Sequence, residues 1–343
     1  MAIKRESDVS LSSLSTFRLG GTAREVVTVE TEDDLKVLFS SMPADRRWFL
    51  LGGGSNIVFP DGDCSALIIR LGIRGINIVS IEDEDVVYLC VGGAEPWDNV
   101  VSFAVDQGLS GIEALSWIPG TAGATPVQNV GAYGCEIKNV LVSLRAFDTA
   151  TNECIEFSNE DCRFGYRDSI FKHEGKGRYI ITQITLALSH DRPDVPQYPG
   201  VAEYLAEHGI RAATLADIRN AIIAIRTKKL PDPSEVASVG SFFKNSFIPT
   251  EQARTLKEKY PSLAVFPVSE TVAKVGTGSL IDALGWKGKR FGNLSLYHGN
   301  AMVVVNEGGA TRRELSEFIE MVKAEVLKTF GVHIEPEPEL LDF

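Results

Sequence analysis

The sequence contains no cysteine pattern that indicates a disulfide framework or a zinc site. Its five cysteines are odd in number and include no CxxC pair. The five histidines are scattered along the chain without an HExxH spacing. No metal site is therefore predicted, and Cys135 is interpreted as a small buried thiol.

Long hydrophobic runs are also absent. No stretch approaches the roughly 18 apolar residues of a membrane span, and the opening segment MAIKRESDVSLS has no apolar region of the signal-peptide type. We therefore expect a cytoplasmic protein without a membrane partner. An excess of positive charge is lacking too, because 34 Lys and Arg stand against 46 Asp and Glu, a formal net charge of −12. Since nucleic-acid binding requires a basic surface, no nucleic-acid partner is expected.

What the 343-residue chain does have is the composition of a soluble globular protein, with 44% hydrophobic and 23% charged residues. A sizeable core is therefore available. The chain has more residues than one hydrophobic core usually holds, which predicts two or three domains.

Two glycine-rich segments beside apolar runs are the most informative feature. The first is LGGGSN at residues 51–56, and the second extends over residues 111–136. Such segments turn sharply and present backbone N–H groups to an anion, so two of them predict one large phosphate-bearing cofactor. The first segment lies between two strand-like runs and is not followed by a helix, which excludes a Rossmann dinucleotide site. The second holds hardly a bulky apolar residue between 119 and 134, so its order must come from neighbours or from a ligand.

Hydrophobic periodicity and helix caps predict an α+β architecture in three pieces. Helices are predicted from three capping boxes, Thr31 with Asp34, Thr214 with Asp217 and Thr311 with Glu314, and over residues 96–107. Strands are predicted at residues 26–29, 48–51, 57–59, 76–80, 86–91, 141–148, 180–188 and 302–306. Residues 190–212 lack this hydrophobic periodicity and are interpreted as a domain boundary or a mobile loop.

Basic residues cluster at 226–229 and 287–290. Each cluster is either a solvated charged face or part of a pocket for a small anionic substrate.

Seven sequence blocks, in order over nearly the whole chain, resemble the UDP-N-acetylenolpyruvoylglucosamine reductase (UDP-N-acetylmuramate dehydrogenase) family. They are STFRLGGTA (15–23), LGGGSN, IPGTAGATPVQNVGAYG (118–134), FGYRDSIFK (164–172), KLPDP (229–233), GSFFKN (240–245) and IEPE (334–337). The resemblance implies an α+β fold with a vanillyl-alcohol-oxidase-type FAD-binding region in two lobes and a separate α+β substrate domain. The expected boundaries are 1–70 for the first lobe, 71–200 for the second, joined by 332–343, and 201–331 for the substrate domain.

The resemblance also implies the reaction. NADPH reduces the FAD, which then reduces the enolpyruvyl double bond of a UDP-sugar to a lactyl ether in peptidoglycan precursor synthesis. The expected partners are therefore FAD, NADPH and the UDP-sugar, and the protein is expected to be a monomer.

Three catalytic residues follow from the resemblance. Arg167 polarises the substrate carboxylate, for which a planar guanidinium is suited, Glu337 assists it, and Ser241 protonates the carbanion. Without the motifs, Arg167 would be interpreted as half of a surface ion pair and Ser241 as a turn or cap residue. The chain departs from the family at Pro338, where an aliphatic residue is usual, so Glu335 and Glu339 stay open as alternatives to Glu337.

The binding residues are also implied by the resemblance. Cofactor contacts are expected from Gly52, Gly53, Gly54, Ser55, Asn56, Pro119, Gly120, Thr121, Gly123, Ala124, Thr125, Gln128, Asn129, Gly131, Ala132, Tyr133, Gly134 and Ile181. Substrate contacts are expected from Tyr198, Lys229, Asn245, Lys287 and Asn300. The local sequence around Tyr198, QYPGVAEY, matches the family poorly, so Tyr204 is an alternative for the tyrosine that covers the substrate.

Two other functions stay open. One is an FAD oxidase of the same fold that acts on an alcohol or hydroxy acid. The other is a nucleotide-sugar-binding protein without catalysis, which would not need Ser241.

Overall fold

The structure is a computed structural model that describes residues 3–80 and 86–342. The chain forms two compact units: unit 1 comprises Met1–Val9, Ala23–Gly53 and Ser65–Arg226, and unit 2 comprises Ser10–Thr22, Gly54–Cys64 and Thr227–Phe343. Each unit therefore gathers segments that are distant in sequence. The three predicted segments group the chain differently and stay a prediction.

The helices and strands follow one another in a mixed order. The helices are α1 (Glu32–Ser41), α2 (Trp97–Asp106), α3 (Pro199–Glu207), α4 (Leu215–Lys229), α5 (Thr250–Lys259), α6 (Thr277–Ala283) and α7 (Arg312–Phe330). The strands are β1 (Lys4–Ser10), β2 (Thr22–Val29), β3 (Trp48–Leu51), β4 (Ile57–Val58), β5 (Cys64–Leu71), β6 (Ile76–Ser80), β7 (Val86–Gly92), β8 (Gly131–Ala132), β9 (Cys135–Glu136), β10 (Leu141–Asp148), β11 (Glu153–Ser158), β12 (Tyr179–Ser189), β13 (Ser238–Ser241), β14 (Ser246–Pro249), β15 (Val265–Pro267), β16 (Val272–Val275), β17 (Arg290–Phe291), β18 (Leu294–Leu296), β19 (Val303–Asn306) and β20 (Glu339–Leu340).

Unit 1 is built on two sheets. A five-stranded sheet has the order β11-β10-β12-β7-β6, and its neighbouring strands are antiparallel. Helix α2 contributes its apolar face to the same core, in which Trp97 is fully buried and donates from Nε1 to the Leu115 carbonyl at 3.1 Å. A four-stranded sheet, β1-β2-β5-β3, shares a second core with Leu35 and Leu38 of α1.

The predicted helix starts are confirmed. Thr31 accepts a hydrogen bond from the Asp34 amide at 3.0 Å, and Thr311 accepts one from the Glu314 amide at 3.1 Å, each within a reciprocal capping box. Thr214 accepts from the Asp217 amide at 3.2 Å in the same way at the start of α4. These starts were predictable because a cap depends on residues only three positions apart.

The irregular segment expected over residues 190–212 is interrupted by a helix that the sequence analysis did not predict. Helix α3 lies within this segment, with Pro199 at its first position, where a missing N–H breaks no helical hydrogen bond. Val201 and Leu205 of α3 form a buried cluster with Ile218 and Ile222 of α4. The prolines before the helix hid this apolar i, i+4 pair from the sequence pattern.

Unit 2 contains two further antiparallel sheets, β13-β19-β18-β17 and β14-β16-β15. The apolar face of α7 packs into its core together with Phe17, Leu19 and Val58 from the two N-terminal segments. This shared core explains why those segments belong to the C-terminal unit. None of the helices within residues 3–80 and 86–342 combines the length and apolar character needed to cross a membrane.

Candidate functional site

The two glycine-rich segments touch each other in unit 1. A Cβ atom added to Gly53 would lie 2.9 Å from the Cα atom of Gly120, and one added to Gly52 would lie 3.3 Å from Oγ1 of Thr121. Two turns that are far apart in the sequence therefore approach with backbone against backbone. A side chain at Gly53 would force them apart, which explains the need for glycine at this position.

Neighbouring backbone gives the second glycine segment its order. The Gly123 amide donates to the Gly93 carbonyl at 2.9 Å, and the Ala122 amide donates to the Glu95 carbonyl at 2.8 Å. A Cβ on Gly123 would lie 2.9 Å from the carbonyl oxygen of Ile181 on β12. The amides of Ala124 and Thr125 donate within the same turn, to the carbonyls of Thr121 and Ala122 at 3.0 and 3.1 Å. These amides already donate hydrogen bonds to backbone carbonyls of the protein. Contacts of these residues with a cofactor would therefore come from other atoms.

Four residues near this segment have left-handed backbone angles without being glycine. Their φ values are 58° for Trp117, 45° for Asn129, 52° for Tyr133 and 54° for Arg167. Such conformations cost about 1–3 kcal/mol each and persist only where the surroundings impose them, which is frequent at functional sites. These four positions lie in the second glycine segment and in the loop that carries the predicted catalytic arginine.

Arg167 is held against the second glycine segment. Its Nη2 donates to the Gly131 carbonyl at 2.6 Å, and its guanidinium carbon lies 5.2 Å from the centre of the Tyr166 ring. The two contacts fix the plane of the guanidinium. A fixed plane suits bidentate binding of a carboxylate.

Tyr198 also contacts the glycine segment. Its ring packs edge-on against the ring of Tyr133, with 5.0 Å between centroids and 85° between planes. The alternative residue, Tyr204, stacks instead on His208 at 4.0 Å. Tyr198 is therefore the tyrosine that the structure brings to the second glycine segment.

Arg226 belongs to the basic cluster at 226–229, but the sequence analysis gave it no role of its own at the site. Its Nε donates to the Trp117 carbonyl at 3.2 Å, and its side chain hydrogen-bonds to Tyr133. Burial lowers the pKa of Arg226, and the contact with Tyr133 opposes that shift. A signal was present in the sequence, since Arg226 follows the buried Ile222 by one helical turn on α4.

A partly buried ion pair fixes the same region. Arg219 donates two hydrogen bonds to the Asp98 carboxylate at 2.7 and 2.8 Å, and Asp98 also accepts from the Trp117 amide. Burial raises the pKa of Asp98, but the hydrogen bonds from Arg219 and Trp117 outweigh it and hold that pKa below its usual value. Trp117 therefore stays fixed just before the Pro119–Gly120 turn.

In unit 2, the structure brings Ser241 and Glu337 into adjacent segments. Ser241 ends β13, and the next residue, Phe242, accepts a hydrogen bond from the Glu337 amide at 2.8 Å. Two residues after Phe242, the Lys244 amide donates to the Glu335 carbonyl at 2.9 Å. The C-terminal segment thus runs beside GSFFKN, and its register sets Glu337 next to the residue that follows Ser241.

The other two candidate carboxylates have different surroundings. The Glu335 side chain is 75% exposed and lies 3.7 Å from the Lys244 ammonium. Glu339 belongs to β20, where its amide donates to the Asn56 carbonyl at 3.0 Å. Neither residue is adjacent to Phe242 in this register.

The remaining part of the first glycine segment lies in unit 2. Gly54 has a φ of 65°, and a Cβ there would lie 2.0 Å from the Leu14 carbonyl. The Thr16 amide donates to the Gly54 carbonyl at 3.0 Å, and the Ser238 amide donates to the Thr16 carbonyl at 3.0 Å. STFRLGG, the end of LGGGSN and β13 are therefore connected by hydrogen bonds.

The predicted substrate residues of unit 2 lie in three loops and at the end of α4. Asn245 accepts from the Thr277 amide at 3.2 Å at the start of α6, and Asn300 accepts from the Met302 amide at 3.0 Å. The loop that holds Asn300 lies near the end of α4, since a Cβ on Gly299 would lie 3.1 Å from the carbonyl oxygen of Lys228, the residue before Lys229. The Lys287 loop also reaches this region, since a Cβ on Gly288 would lie 3.8 Å from the Cα atom of His298. The exposed ammonium groups of Lys229 and Lys287 supply positive charge there.

Each unit, taken by itself, offers groups that fit part of a flavin nucleotide. In unit 1, the contact of Gly53 with Gly120 leaves no room for a side chain, so the two turns present bare backbone. Oγ1 of Thr16 and Oγ of Ser238 are buried, and within the described ranges neither has a hydrogen-bond partner. A buried hydroxyl without a partner costs about 1–3 kcal/mol. In unit 2, the Thr16 amide bonds to the Gly54 carbonyl and the Ser238 amide bonds to the Thr16 carbonyl, so both hydroxyls are available to a polar ligand or an ordered water near these segments.

Proteins of known family are similar to this chain over its whole length. The chain is 39% identical over 337 residues to UDP-N-acetylenolpyruvoylglucosamine reductase of Flavobacterium johnsoniae, which covers 98% of the chain and 99% of that protein. It is 38% identical over 341 residues to the protein of the same name from Pseudomonas aeruginosa, with 99% and 100% covered. The chain belongs to the UDP-N-acetylenolpyruvoylglucosamine reductase family.

Domain models and a solved structure agree with membership in the reductase family. A model described as an FAD binding domain matches residues 23–158, and one described as the UDP-N-acetylenolpyruvoylglucosamine reductase C-terminal domain matches residues 232–341. The crystal structure of the Thermus caldophilus reductase covers 100% of both chains with a TM-score of 0.68; at 23% identity it shows the fold alone. The predicted family and fold class are confirmed.

The reductase family models divide the predicted site residues unequally. Both glycine segments lie in the FAD-binding match, and Ser241, Asn245, Lys287, Asn300 and Glu337 lie in the C-terminal match. Arg167, Ile181, Tyr198 and Lys229 lie outside both matches. The role of each individual residue stays a prediction.

The close approach at Gly53 leads to a prediction about FAD. We expect Gly53→Ala to weaken FAD binding by at least about fivefold, since overpacking a close contact costs about 1–3 kcal/mol. The measurement is fluorescence titration of the apoprotein with FAD. Gly62→Ala is the matched control, because a Cβ there meets no atom within 4 Å. Equal FAD affinity in both variants would show that the two turns do not cradle the cofactor.

Proposed function

We propose that this chain is an FAD-dependent reductase that uses NADPH to reduce the enolpyruvyl group of UDP-N-acetylglucosamine enolpyruvate. The product is the lactyl ether, UDP-N-acetylmuramate. The observation that carries this proposal is the full-length similarity to reductases of that name, together with the FAD-binding match over residues 23–158. Because these relatives are reductases over their whole length, the FAD oxidase considered from the sequence is not supported.

Bound FAD would supply the hydride that is added to the double bond. The chain's own residues then have to stabilise negative charge on the carbon next to the carboxylate and deliver one proton to it. Hydride and proton together saturate the double bond and give the ether.

Arg167 is proposed to bind the substrate carboxylate. Its guanidinium is held by the Gly131 carbonyl and the Tyr166 ring, so little side-chain freedom is lost when a carboxylate binds. The charge that develops beside the carboxylate is spread onto this cation.

Ser241 is proposed to donate the proton from its hydroxyl, and Glu337 to assist at the same carbon. The hydrogen bond between the Glu337 amide and the Phe242 carbonyl, at 2.8 Å, supports this pairing. A serine hydroxyl is a weak acid, so it is suited to proton transfer only toward a strongly basic centre such as a carbanion.

Substrate binding is proposed for the remaining groups. Tyr198 would cover the sugar nucleotide, and the ammonium groups of Lys229 and Lys287 would bind its diphosphate as point charges. Asn245 and Asn300 would contribute through their side-chain amides. The protein would act as a cytoplasmic monomer in cell-wall synthesis, and thereby in cell shape and division.

The visible absorption spectrum tests this function. The FAD-loaded protein should be yellow, bleach with NADPH in the absence of oxygen, and regain its colour when the enolpyruvyl sugar nucleotide is added. UDP-N-acetylglucosamine, which lacks the enolpyruvyl group, is the control and should not restore the colour. A protein that takes up no FAD, or that is reoxidised by oxygen but not by the enolpyruvyl substrate, would contradict the proposal.

A further inference from the structure

The side chain of Asn129 is buried and connects the second glycine segment with the loop that carries Arg167 by hydrogen bonds. It is fully buried, and its Nδ2 donates to the Gly165 carbonyl at 2.9 Å and to Oε2 of Glu136 at 3.1 Å. Its Oδ1 accepts from the Lys138 amide at 3.2 Å. Both N–H bonds and the carbonyl oxygen of this amide are therefore engaged by the protein itself.

The bond to Gly165 acts on the turn that displays Arg167. Gly165 and Asp168 form an antiparallel bridge in which the Gly165 amide donates to the Asp168 carbonyl at 3.0 Å. Arg167 lies inside this tight turn with a φ of 54°, a conformation that a side chain makes costly. Asn129 holds the first residue of the turn, so it opposes relaxation of Arg167 to an ordinary backbone angle.

Two further hydrogen bonds connect the loop with residues next to Asn129. Arg167 donates to the Gly131 carbonyl at 2.6 Å, and the Ser169 hydroxyl donates to the Val127 carbonyl at 2.6 Å. Of these three connections, the one from Asn129 acts on Gly165, the residue that begins the turn. Removing it leaves the Gly165 carbonyl without this donor and allows the turn to move.

We infer that Asn129 is a positioning residue for Arg167: it sets the turn that aims the guanidinium, instead of making the cofactor contact expected from its motif. This inference rests on the proposed function, because it takes Arg167 to bind the substrate carboxylate. A misplacement of about 1 Å at a reacting group can cost on the order of 10² in rate. Asn129 therefore affects the step that uses the carboxylate and not the reduction of FAD.

The test is Asn129→Gly, because glycine accepts the positive φ of 45° and only the side chain is lost. FAD-loaded enzyme is reduced anaerobically with NADPH, and its reoxidation by the enolpyruvyl sugar nucleotide is followed by stopped flow. We expect reoxidation to slow about tenfold or more, with reduction by NADPH and FAD affinity within about twofold of wild type. Asn152→Gly is the matched control, since Asn152 also has a positive φ, 61°, in the turn between β10 and β11.

A double-mutant cycle separates positioning from a structural role. If Asn129 acts through Arg167, Asn129→Gly should cost almost nothing further in an Arg167→Ala background. Equal losses in both half-reactions, additive losses in the cycle, or the same effect from Asn152→Gly would overturn the inference. If Asn129→Gly does not fold, Asn129→Asp is measured in a Glu136→Gln background and compared with Glu136→Gln alone, because the aspartate keeps the acceptor for Lys138 and loses the donor to Gly165 without facing a second carboxylate. Failure of the proposed function is distinguishable, since wild-type reduced enzyme would then not be reoxidised by the sugar nucleotide.

Discussion

Replacing Ser241 by Ala should lower turnover of the enolpyruvyl sugar nucleotide by a factor on the order of 10² or more, and leave FAD reduction by NADPH intact. The reason is that the hydroxyl supplies a proton only after hydride has reached the substrate. Reduction of the cofactor does not need this proton. The two half-reactions, measured separately by stopped-flow absorbance, should therefore respond differently.

The structure indicates that Ser241→Ala leaves the fold unchanged. Ser241 pairs with Val303 through backbone at the end of β13, and alanine keeps that pairing. Ser246→Ala is the matched control, because it removes a hydroxyl from the same unit that only donates to the His333 carbonyl at 2.7 Å. If Ser241→Ala turned over the substrate at the wild-type rate, another group would be the proton donor. A nucleotide-sugar-binding protein without catalysis would show no turnover even as wild type.

Replacing Glu337 by Gln should slow the same reoxidation step by about 10² or more, because a carboxylate that assists at the reacting carbon is lost. Gln keeps the size of the side chain and the backbone hydrogen bond to Phe242. The reoxidation rate of the reduced enzyme by the enolpyruvyl substrate is the decisive measurement, since flavin reduction should change little.

Two neighbouring glutamates serve as internal controls for Glu337. Glu335→Gln removes one half of an exposed ion pair, which contributes about 0–1 kcal/mol, so its rate should stay near wild type. Glu339→Gln changes a side chain on β20, whose register is held by backbone hydrogen bonds to Asn56 and Val58. A large loss in either control and none in Glu337→Gln would move the catalytic role to that residue.

Local patterns in the sequence were sufficient for several elements of the fold. The starts of α1, α4 and α7 follow from a hydroxyl and a carboxylate three residues apart, so no distant residue is needed to predict them. Helix α3, which begins at Pro199, was missed because its stability comes from burial of Val201 and Leu205 against α4 and not from a local signal. Residues 10–22 and 54–64 belong to the C-terminal unit through burial of Phe17, Leu19 and Val58, which no local signal indicates.

For the candidate site, the resemblance of short motifs supplied the residue types but not their arrangement. Nothing in EPEPEL separates Glu337 from Glu335, because both have the same charge and similar neighbours in the sequence. The pairing of this segment with Phe242 and Lys244 distinguishes them. In the same way, Asn129 belongs to a cofactor motif, yet its side chain bonds to Gly165 in a loop that no local pattern connects to it.

The sequence by itself determined the family, the glycine-rich turns and the capped helices, since these depend on residue types at short spacing. Only the tertiary structure decided that Gly53 meets Gly120, that Glu337 lies beside the residue after Ser241, and that Asn129 holds the turn of Arg167. Each of these is a contact between segments far apart in the chain. Such contacts depend on how whole elements pack, and a spacing read along the sequence does not contain that information.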